Sequence, residues 1–386
     1  MSEGNANSDA AAPCPPPPGR RLAWVALAST PGMTPRSCAS LLAAFGGPEQ
    51  VLTAPLRDVG AVAGVSPSVA RRLTSGESRR LADAALAQSA QLGALTLTPD
   101  DPDYPKRLLT LPDPPPALWC RGALEADAAA IAVVGSRRPS HYGQAMAERI
   151  GRELSGAGFV VVSGLARGID AAAHRAALEA GGRTVAVLGC GVDRVYPREN
   201  RALQEAIGQR GAVISEFAPG TPPLPGHFPR RNRLISGLAL GVVVVEAGDK
   251  SGSLITARLA LEQGREVFAV PGNVGAGGSV GTNRLIKSGA MLLEGIDDIL
   301  DAVAAHLDRR SLRRPPANRN QAYGDGGLVL TAEEQNVLEH LTQEPRHVDE
   351  LAARSGRPIQ QIAALLVAME IKGGVRQLPG NYYCLA

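Results

Sequence analysis

Seven short, continuously apolar runs punctuate the middle of the chain: Ile131 to Val134, Phe159 to Val162, Thr184 to Leu188, Ala212 to Ser215, Gly241 to Val245, Glu266 to Val270 and Ala290 to Leu293. They do not alternate apolar with polar residues, so they fit strands covered on both faces, as in a parallel sheet. Segments of helical period separate them, at Gln144 to Ser155, Ile169 to Ala180, Glu199 to Gly208, Leu254 to Gln263 and Thr282 to Ser288. Strand and helix in alternation predict an α/β fold with a doubly wound, Rossmann-like parallel sheet.

The pattern differs on either side of that core. From Leu22 to about Leu95 short helices are broken at Pro31-Gly32, Gly46-Gly47-Pro48 and Gly64-Val65-Ser66-Pro67. The stretch Gly64 to Leu73 is similar to a helix-hairpin-helix turn, in which a Gly-rich turn and the next helix N-terminus meet a phosphate; a small helical protein-interaction module fits equally well. After Ala305 a basic, Pro-containing stretch leads to Thr331, which with Glu334 forms a capping box that starts a helix. Helices at Val348 to Ser355 and Ile359 to Ile371, and a hairpin around Pro379-Gly380-Asn381, complete the pattern of a winged helix.

These shifts divide the chain into a disordered Pro-rich tail (1–19), a SAM- or helix-hairpin-helix-like helical domain (20–95) and a Pro-rich connector (96–120) ending in a short strand, Ala117 to Cys120. A Rossmann-like domain (121–305), a basic linker (306–327) and a winged-helix domain (328–386) follow. The tail has too few large apolar side chains to offset the entropy of ordering it. With 386 residues, 44 % of them hydrophobic, the rest is long enough for two or three domains and at least one large core.

Charge changes the picture less than its distribution does. Forty basic and 37 acidic residues leave a net +3, too little for a generic polyanion binder, so any nucleic-acid role has to come from local clustering. Only Lys106, Lys250, Lys287 and Lys372 are lysines; the remaining cations are arginines. Cys14, Cys38, Cys120, Cys190 and Cys384 are odd in number and scattered, which disfavours a zinc site or a disulfide framework and suits a reducing cytoplasm. Arg20-Arg21 and the apolar residues after them faintly resemble an export signal, but the apolar stretch is short and lacks a small-residue cleavage site before Pro31. No apolar run reaches the roughly 18 residues a membrane span needs, so the expectation is a soluble protein without membrane partners.

In an open parallel sheet the ligand crevice lies beyond the carboxyl ends of the strands. The residues there are Gly135-Ser136-Arg137, Ser163-Gly164-Leu165-Ala166-Arg167, Gly189-Cys190-Gly191, Ser215-Glu216-Phe217 and Lys250-Ser251-Gly252-Ser253. Glycines for close approach, hydroxyls and arginines on one edge suit a phosphate. Gly189 to Arg194 matches only part of a dinucleotide fingerprint, and Lys250-Ser251 and Lys287-Ser288 lack the glycine a P-loop puts before its lysine, so redox and ATP chemistry are disfavoured. Neither a catalytic triad nor a cofactor is expected. In Phe228-Pro229-Arg230-Arg231-Asn232-Arg233, just before an apolar helix starting near Leu234, the arginines are suited to successive phosphates of a single strand and Phe228 to stacking on a base. Asp170 and Glu246 are better placed to orient donors or cap helices than to act as acid and base.

Gly135-Ser136-Arg137 with Ser140 to Gly143, Ser163 to Asp170, Phe228 to Gly237, Lys250 to Thr256 and Ala269 to Gly272 together resemble the DprA/Smf family of DNA-processing proteins. The resemblance covers nearly the whole chain. It implies a cytoplasmic, non-enzymatic binder of single-stranded DNA entering in natural transformation. It also implies a homodimer through the Rossmann domain, loading of the RecA recombinase, and no small-molecule substrate. Carried onto this sequence, it makes Arg137, Arg231, Arg233 and Lys250 the principal phosphate contacts, with Gly135, Ser136, Ser163 and Gly164 close to the backbone. Arg167, Phe228, Asn232, Ser251 and Ser253 complete the expected site. The rival reading is a nucleotide-binding or nucleotide-processing enzyme of a related Rossmann-like family; a third is a dimeric adaptor. The C-terminal module is net acidic, with five basic and seven acidic residues from Leu328 onward, and its candidate recognition helix at Ile359 to Ile371 has no positive charge. A protein contact or regulatory role is at least as suitable for it as duplex binding.

Overall fold

A computed structural model describes residues 18–304, 331–342, 344–371, 374–378 and 380–385. The expected tail, apart from its last two residues, and the basic linker at 306–327 lie outside the described residues. The described chain forms two compact units, one around a nine-stranded sheet and one around a three-stranded sheet.

The first unit opens with six helices: α1 (Pro18–Ser29), α2 (Pro35–Phe45), α3 (Pro48–Thr53), α4 (Leu56–Ala61), α5 (Pro67–Thr74) and α6 (Glu77–Gln91). Prolines at the first helical position of α2, α3 and α5 preset the backbone where an amide needs no partner, and the Thr34 and Ser66 hydroxyls cap α2 and α5. Gly46 ends α2 with a φ of 82°, a left-handed turn that favours glycine.

The connector is more structured than its prolines suggest. It contributes β1 (Leu95–Leu97), α7 (Lys106–Leu109) and β2 (Leu118–Gly122), and the two strands add antiparallel to the edge of the main sheet. Trp119 on β2 is fully buried in the core made by α1–α6, together with Val25, Leu27, Leu41 and Leu73. Arg20 and the Trp24 indole both bind Asp100. Trp119 thus joins the core of the helical region while its neighbours Leu118 and Cys120 join the core of the sheet, so β2 ties the two together.

The sheet continues with β3 (Ala130–Val134), β4 (Val160–Ser163), β5 (Thr184–Leu188), β6 (Ala212–Ser215), β7 (Gly241–Val244), β8 (Glu266–Ala269) and β9 (Met291–Leu292). Between them lie α8 (His141–Gly156), α9 (Ile169–Glu179), α10 (Arg201–Arg210), α11 (His227–Leu238), α12 (Gly252–Glu262) and α13 (Val280–Lys287), with α14 (Ile296–Val303) at the end. All seven expected strands form, and β3 to β9 pair in parallel in the order β6-β5-β4-β3-β7-β8-β9. Every residue of β3, β4, β5, β6 and β7 is buried, the reason those runs are continuously apolar.

The second unit has α15 (Ala332–Leu338), β10 (Arg346–His347), α16 (Val348–Ser355), α17 (Ile359–Ile371), β11 (Val375–Leu378) and β12 (Tyr382–Leu385), the elements of a winged helix. The Thr331 and Glu334 capping box is present. Val337, Leu351, Ile362, Leu366, Met369 and Leu385 form its core, while Ile359 and Val367 of α17 stay exposed. Among the described residues no helix is long and apolar enough to cross a membrane.

Candidate nucleic-acid interface

The strand order fixes where a ligand fits. β3 lies between β4 and β7, so the chain winds away on one side through β4, β5 and β6 and returns to wind away on the other through β7, β8 and β9. The loops after β3, β4 and β7 diverge at that switch point and leave a crevice beyond the carboxyl ends. It is an open hollow of about 730 Å³ lined by Gly135, Ser136, Arg137, Phe228, Asn232, Lys250, Ser251 and Ser253, among others. A recess beside it is lined by Gly164, Arg167, Cys190 and Tyr196, and shares Arg137 and Phe228 with the larger hollow.

Arg137 and Lys250 are the free cations of this rim. Both are exposed, and neither has an ion pair among the described residues. The Arg137 guanidinium lies 5.8 Å from the Phe228 ring centroid, and the Tyr196 ring is 5.4 Å from the same ring. Gly189 lets the aromatic close in, because a Cβ there would be 2.9 Å from the Phe228 ring. Gly135 is required by its own neighbours: a Cβ would lie 2.7 Å from Ile169 and 3.0 Å from the Glu246 carbonyl. Ser251 caps α12, its hydroxyl accepting from the Ser253 amide and lying 2.7 Å from the Ser253 hydroxyl. Arg167 is exposed but is paired with Glu199.

The arginines of α11 have another fate, and the sequence expectation is corrected here. The helix begins at His227, well before Leu234, with Pro229 in its first turn, where a missing amide costs nothing. At about 100° per residue three neighbouring arginines cannot share a face. Arg230 and Arg233 turn toward the buried Glu216, whose Oε2 accepts from them at 3.0 and 2.5 Å. Arg233 also donates to the Asp113 carbonyl at 2.8 Å and is 6 % exposed, so it is a buried ion-pair partner that does not line the crevice. Phe228, Asn232 and Ile235 form the face of α11 that lines the crevice.

Arg231 lies beneath the crevice as part of its floor. It is 4 % exposed and donates to the carbonyls of Gly164, at 2.7 Å, and Val187. Burial pulls its guanidinium down to about 10, with Asp170 opposing the shift and Arg137 adding to it. Gly164 has no room for a Cβ because the Arg231 guanidinium occupies that space. Ser163 is likewise withdrawn: fully buried, its hydroxyl donates to the Val133 carbonyl at 2.6 Å and ties β4 to β3. These residues shape the rim from within and lack the exposure of Arg137 and Lys250.

Asp170, in the first turn of α9, accepts from the amides of Gly164 at 3.1 Å and Ala166 at 3.3 Å. It thereby brackets Leu165, which sits at a φ of 56°, a left-handed conformation uncommon for leucine. Burial pushes its carboxyl up, against the opposing pull of the Arg231 charge and the two amides. His174 on the same helix is buried, with Nδ1 2.6 Å from the Thr184 hydroxyl, and burial and the nearby positive charge of Arg231 and Arg175 pull it down to about 3. Sequence reading passed over the buried Glu216 as a partner for two arginines; its position at the end of an apolar strand was the available signal.

Known proteins share this fold. A family described as DNA recombination-mediator protein A matches residues 95–304, and a DprA winged helix domain matches residues 324–381. Protein Smf of Escherichia coli is 42 % identical over 289 residues, covering 74 % of this chain and 76 % of its own. The DNA processing protein DprA of Streptococcus pneumoniae is 47 % identical over 201 residues, 52 % of this chain and 71 % of its own. Its X-ray structure matches with a TM-score of 0.64, covering 75 % of this chain and 98 % of that one. A Helicobacter pylori DNA processing protein A, whose structure concerns its single-stranded DNA binding mode, matches with a TM-score of 0.50 at 33 % identity, covering 56 % of this chain and 97 % of that one. With a family match over more than half its length and a relative of this identity spanning three-quarters of it, the chain belongs to the DprA/Smf family of DNA-processing proteins.

Proposed function

We propose that the chain binds single-stranded DNA in the switch-point crevice and delivers it to the RecA recombinase during natural transformation, in the cytoplasm and as a homodimer through its Rossmann unit. The observation that carries the DNA reading is the pair of unpartnered cations, Arg137 and Lys250, on loops flanking an aromatic that lines the same hollow. Two cations and a stacking ring lining one hollow fit a flexible strand whose phosphates and bases can separate, and suit it without regard to base identity. The family's description as recombination-mediator proteins and the single-stranded DNA binding mode of the Helicobacter pylori relative support the same reading.

Binding without catalysis is the better account of the acids. Asp170 is engaged with the two amides that shape the loop after β4, which makes it a positioning residue. The winged helix adds no cationic recognition face and suits a protein contact or a regulatory role. The test is a fluorescence-anisotropy titration of a labelled oligothymidylate against a duplex of equal length. The strand binds more tightly, and Arg137→Glu with Lys250→Glu weakens it by at least about tenfold while flattening the salt dependence by about 0.7 per lost phosphate contact. Unchanged affinity in that double variant would falsify the site.

A further inference from the structure

The turn that carries Phe228 is held only weakly by its own backbone. Gly226 precedes α11 without a side-chain cap, Pro229 has no amide to donate, and residues 219–226 before the helix form neither helix nor strand. Side chains supply the anchoring instead. His227 and Arg230, three residues apart, share a face of α11 that does not line the crevice. The His227 ring stacks on Phe217 with centroids 4.1 Å apart, and its Nδ1 lies 3.2 Å from the Gly189 carbonyl. The Arg230 guanidinium lies 4.9 Å from the same Phe217 ring and pairs with Glu216 at 3.0 Å.

One donor of Arg230 reaches across to the helical region. Its Nη1 donates to the Met33 carbonyl at 3.4 Å, in the turn between α1 and α2. That carbonyl is fixed in place, because the Met33 side chain is buried in the helical core and its amide donates to the Thr30 carbonyl at 3.1 Å. The same core takes in Val192, from the loop after β5, and packs against Ala218, from the loop after β6. The helical region therefore rests on loops at the carboxyl ends of the strands, and Arg230 carries its position into α11. We propose that the helical region is a positioning element of the DNA site: through Arg230, Phe217 and His227 it fixes the first turn of α11, and with it the angle at which Phe228 presents its ring to a base. The inference rests on the DNA reading of the crevice and deepens it, giving the helical region a part in affinity without contact to the strand.

Anisotropy with the full chain and a labelled oligothymidylate reads the coupling as a double-mutant cycle with Phe228→Ala. Arg230→Met removes the link yet leaves Glu216 its pair with Arg233. In the parent it weakens binding by about fivefold, the lower end of what one stacked base is worth, with the salt dependence unchanged because no phosphate contact is lost. In the Phe228→Ala chain the same substitution changes affinity by less than about twofold. No loss in the parent, a flattened salt dependence, or equal losses in both chains would each overturn the positioning role; a merely structural arginine weakens both chains alike. Phe217→Leu breaks the same link while the ion pair stays, and gives the same pattern, so the question stays decidable should Arg230→Met fold poorly. A parent chain that does not retain the strand, or a Phe228→Ala chain that binds as tightly as the parent, would overturn the reading of the crevice itself, a result distinct from failure of the positioning role alone.

Discussion

The loops at the rim of the crevice and the first two turns of α11 use the same side-chain chemistry for opposite ends. On the loops, Arg137 and Lys250 keep their charge exposed and without an acidic partner. On α11, Arg230 and Arg233 are consumed by Glu216, and Arg231 by the carbonyls of Gly164 and Val187. A guanidinium buried against internal acceptors positions the groups it binds; one left in water is available to an incoming anion. Density of arginine in a sequence therefore does not locate a nucleic-acid contact. The cations proposed to meet DNA, Arg137 and Lys250, are marked instead by exposure on the crevice rim without an internal acidic partner.

The largest expected effect attacks the buried side of this contrast. Glu216→Ala leaves Arg230 and Arg233 close together without their shared carboxylate, and breaking a buried pair in this way costs about 3–5 kcal/mol. Chemical denaturation reads the loss. A stability within error of the parent would show that α11 is held by its apolar face alone, and the division between positioning and binding arginines would fall.

Phe228 stands at the boundary, with Arg137 at 5.8 Å and Arg231 at 6.0 Å from its ring centroid. Its replacement by alanine is expected to remove about 1–3 kcal/mol of single-strand affinity, the usual worth of one stacked base. Because the ring is half-buried, the same variant needs its melting temperature measured alongside. A full loss of stability with no specific loss of affinity would place Phe228 with the buried group.

Much of this was legible in the sequence. The runs of β3 to β7 became buried strands because a strand covered on both faces has no polar alternative, and reading the residues after each strand placed Arg137 and Lys250 on the crevice rim, where they lie. The start of α11 was not legible from the apolar period, because Pro229 and three arginines mask it; only the tolerance of proline in a first turn signals the helix. Once α11 starts at His227, helical geometry alone separates its arginines, but their partners still depend on Glu216 and Gly164, which lie on other strands. Antiparallel addition of β1 and β2 was hidden for a similar reason. Three residues of β1 carry too little period to register, and their pairing is long-range.

The smallest effect probes the buried charge of Arg231 through its neighbours. His174 is held at about 3 by burial first and by the Arg231 charge second, well below its unfolded value near 6.5. Between those values the unfolded chain binds the extra proton, so this group's contribution to stability falls as pH drops from about 6.5 toward 3, by at most about 1.4 kcal/mol per pH unit. Asp170 works in the other direction. Its folded pKa is raised, so the folded chain binds the extra proton and gains stability as pH falls through that value toward the ordinary carboxylate range. Arg231 depresses both groups; Arg231→Met relieves His174 and lets Asp170 rise further. Both changes make acidification less costly. Denaturation midpoints between pH 7 and pH 4 should fall less steeply in the variant than in the parent, by less than about 1.4 kcal/mol across the range because burial, the larger cause, remains. Parallel profiles would mean that the charge of Arg231 is not felt at His174 or Asp170. Arg231 would then be a donor to two carbonyls and nothing more, and its separation from the exposed cations of the rim would rest on burial alone.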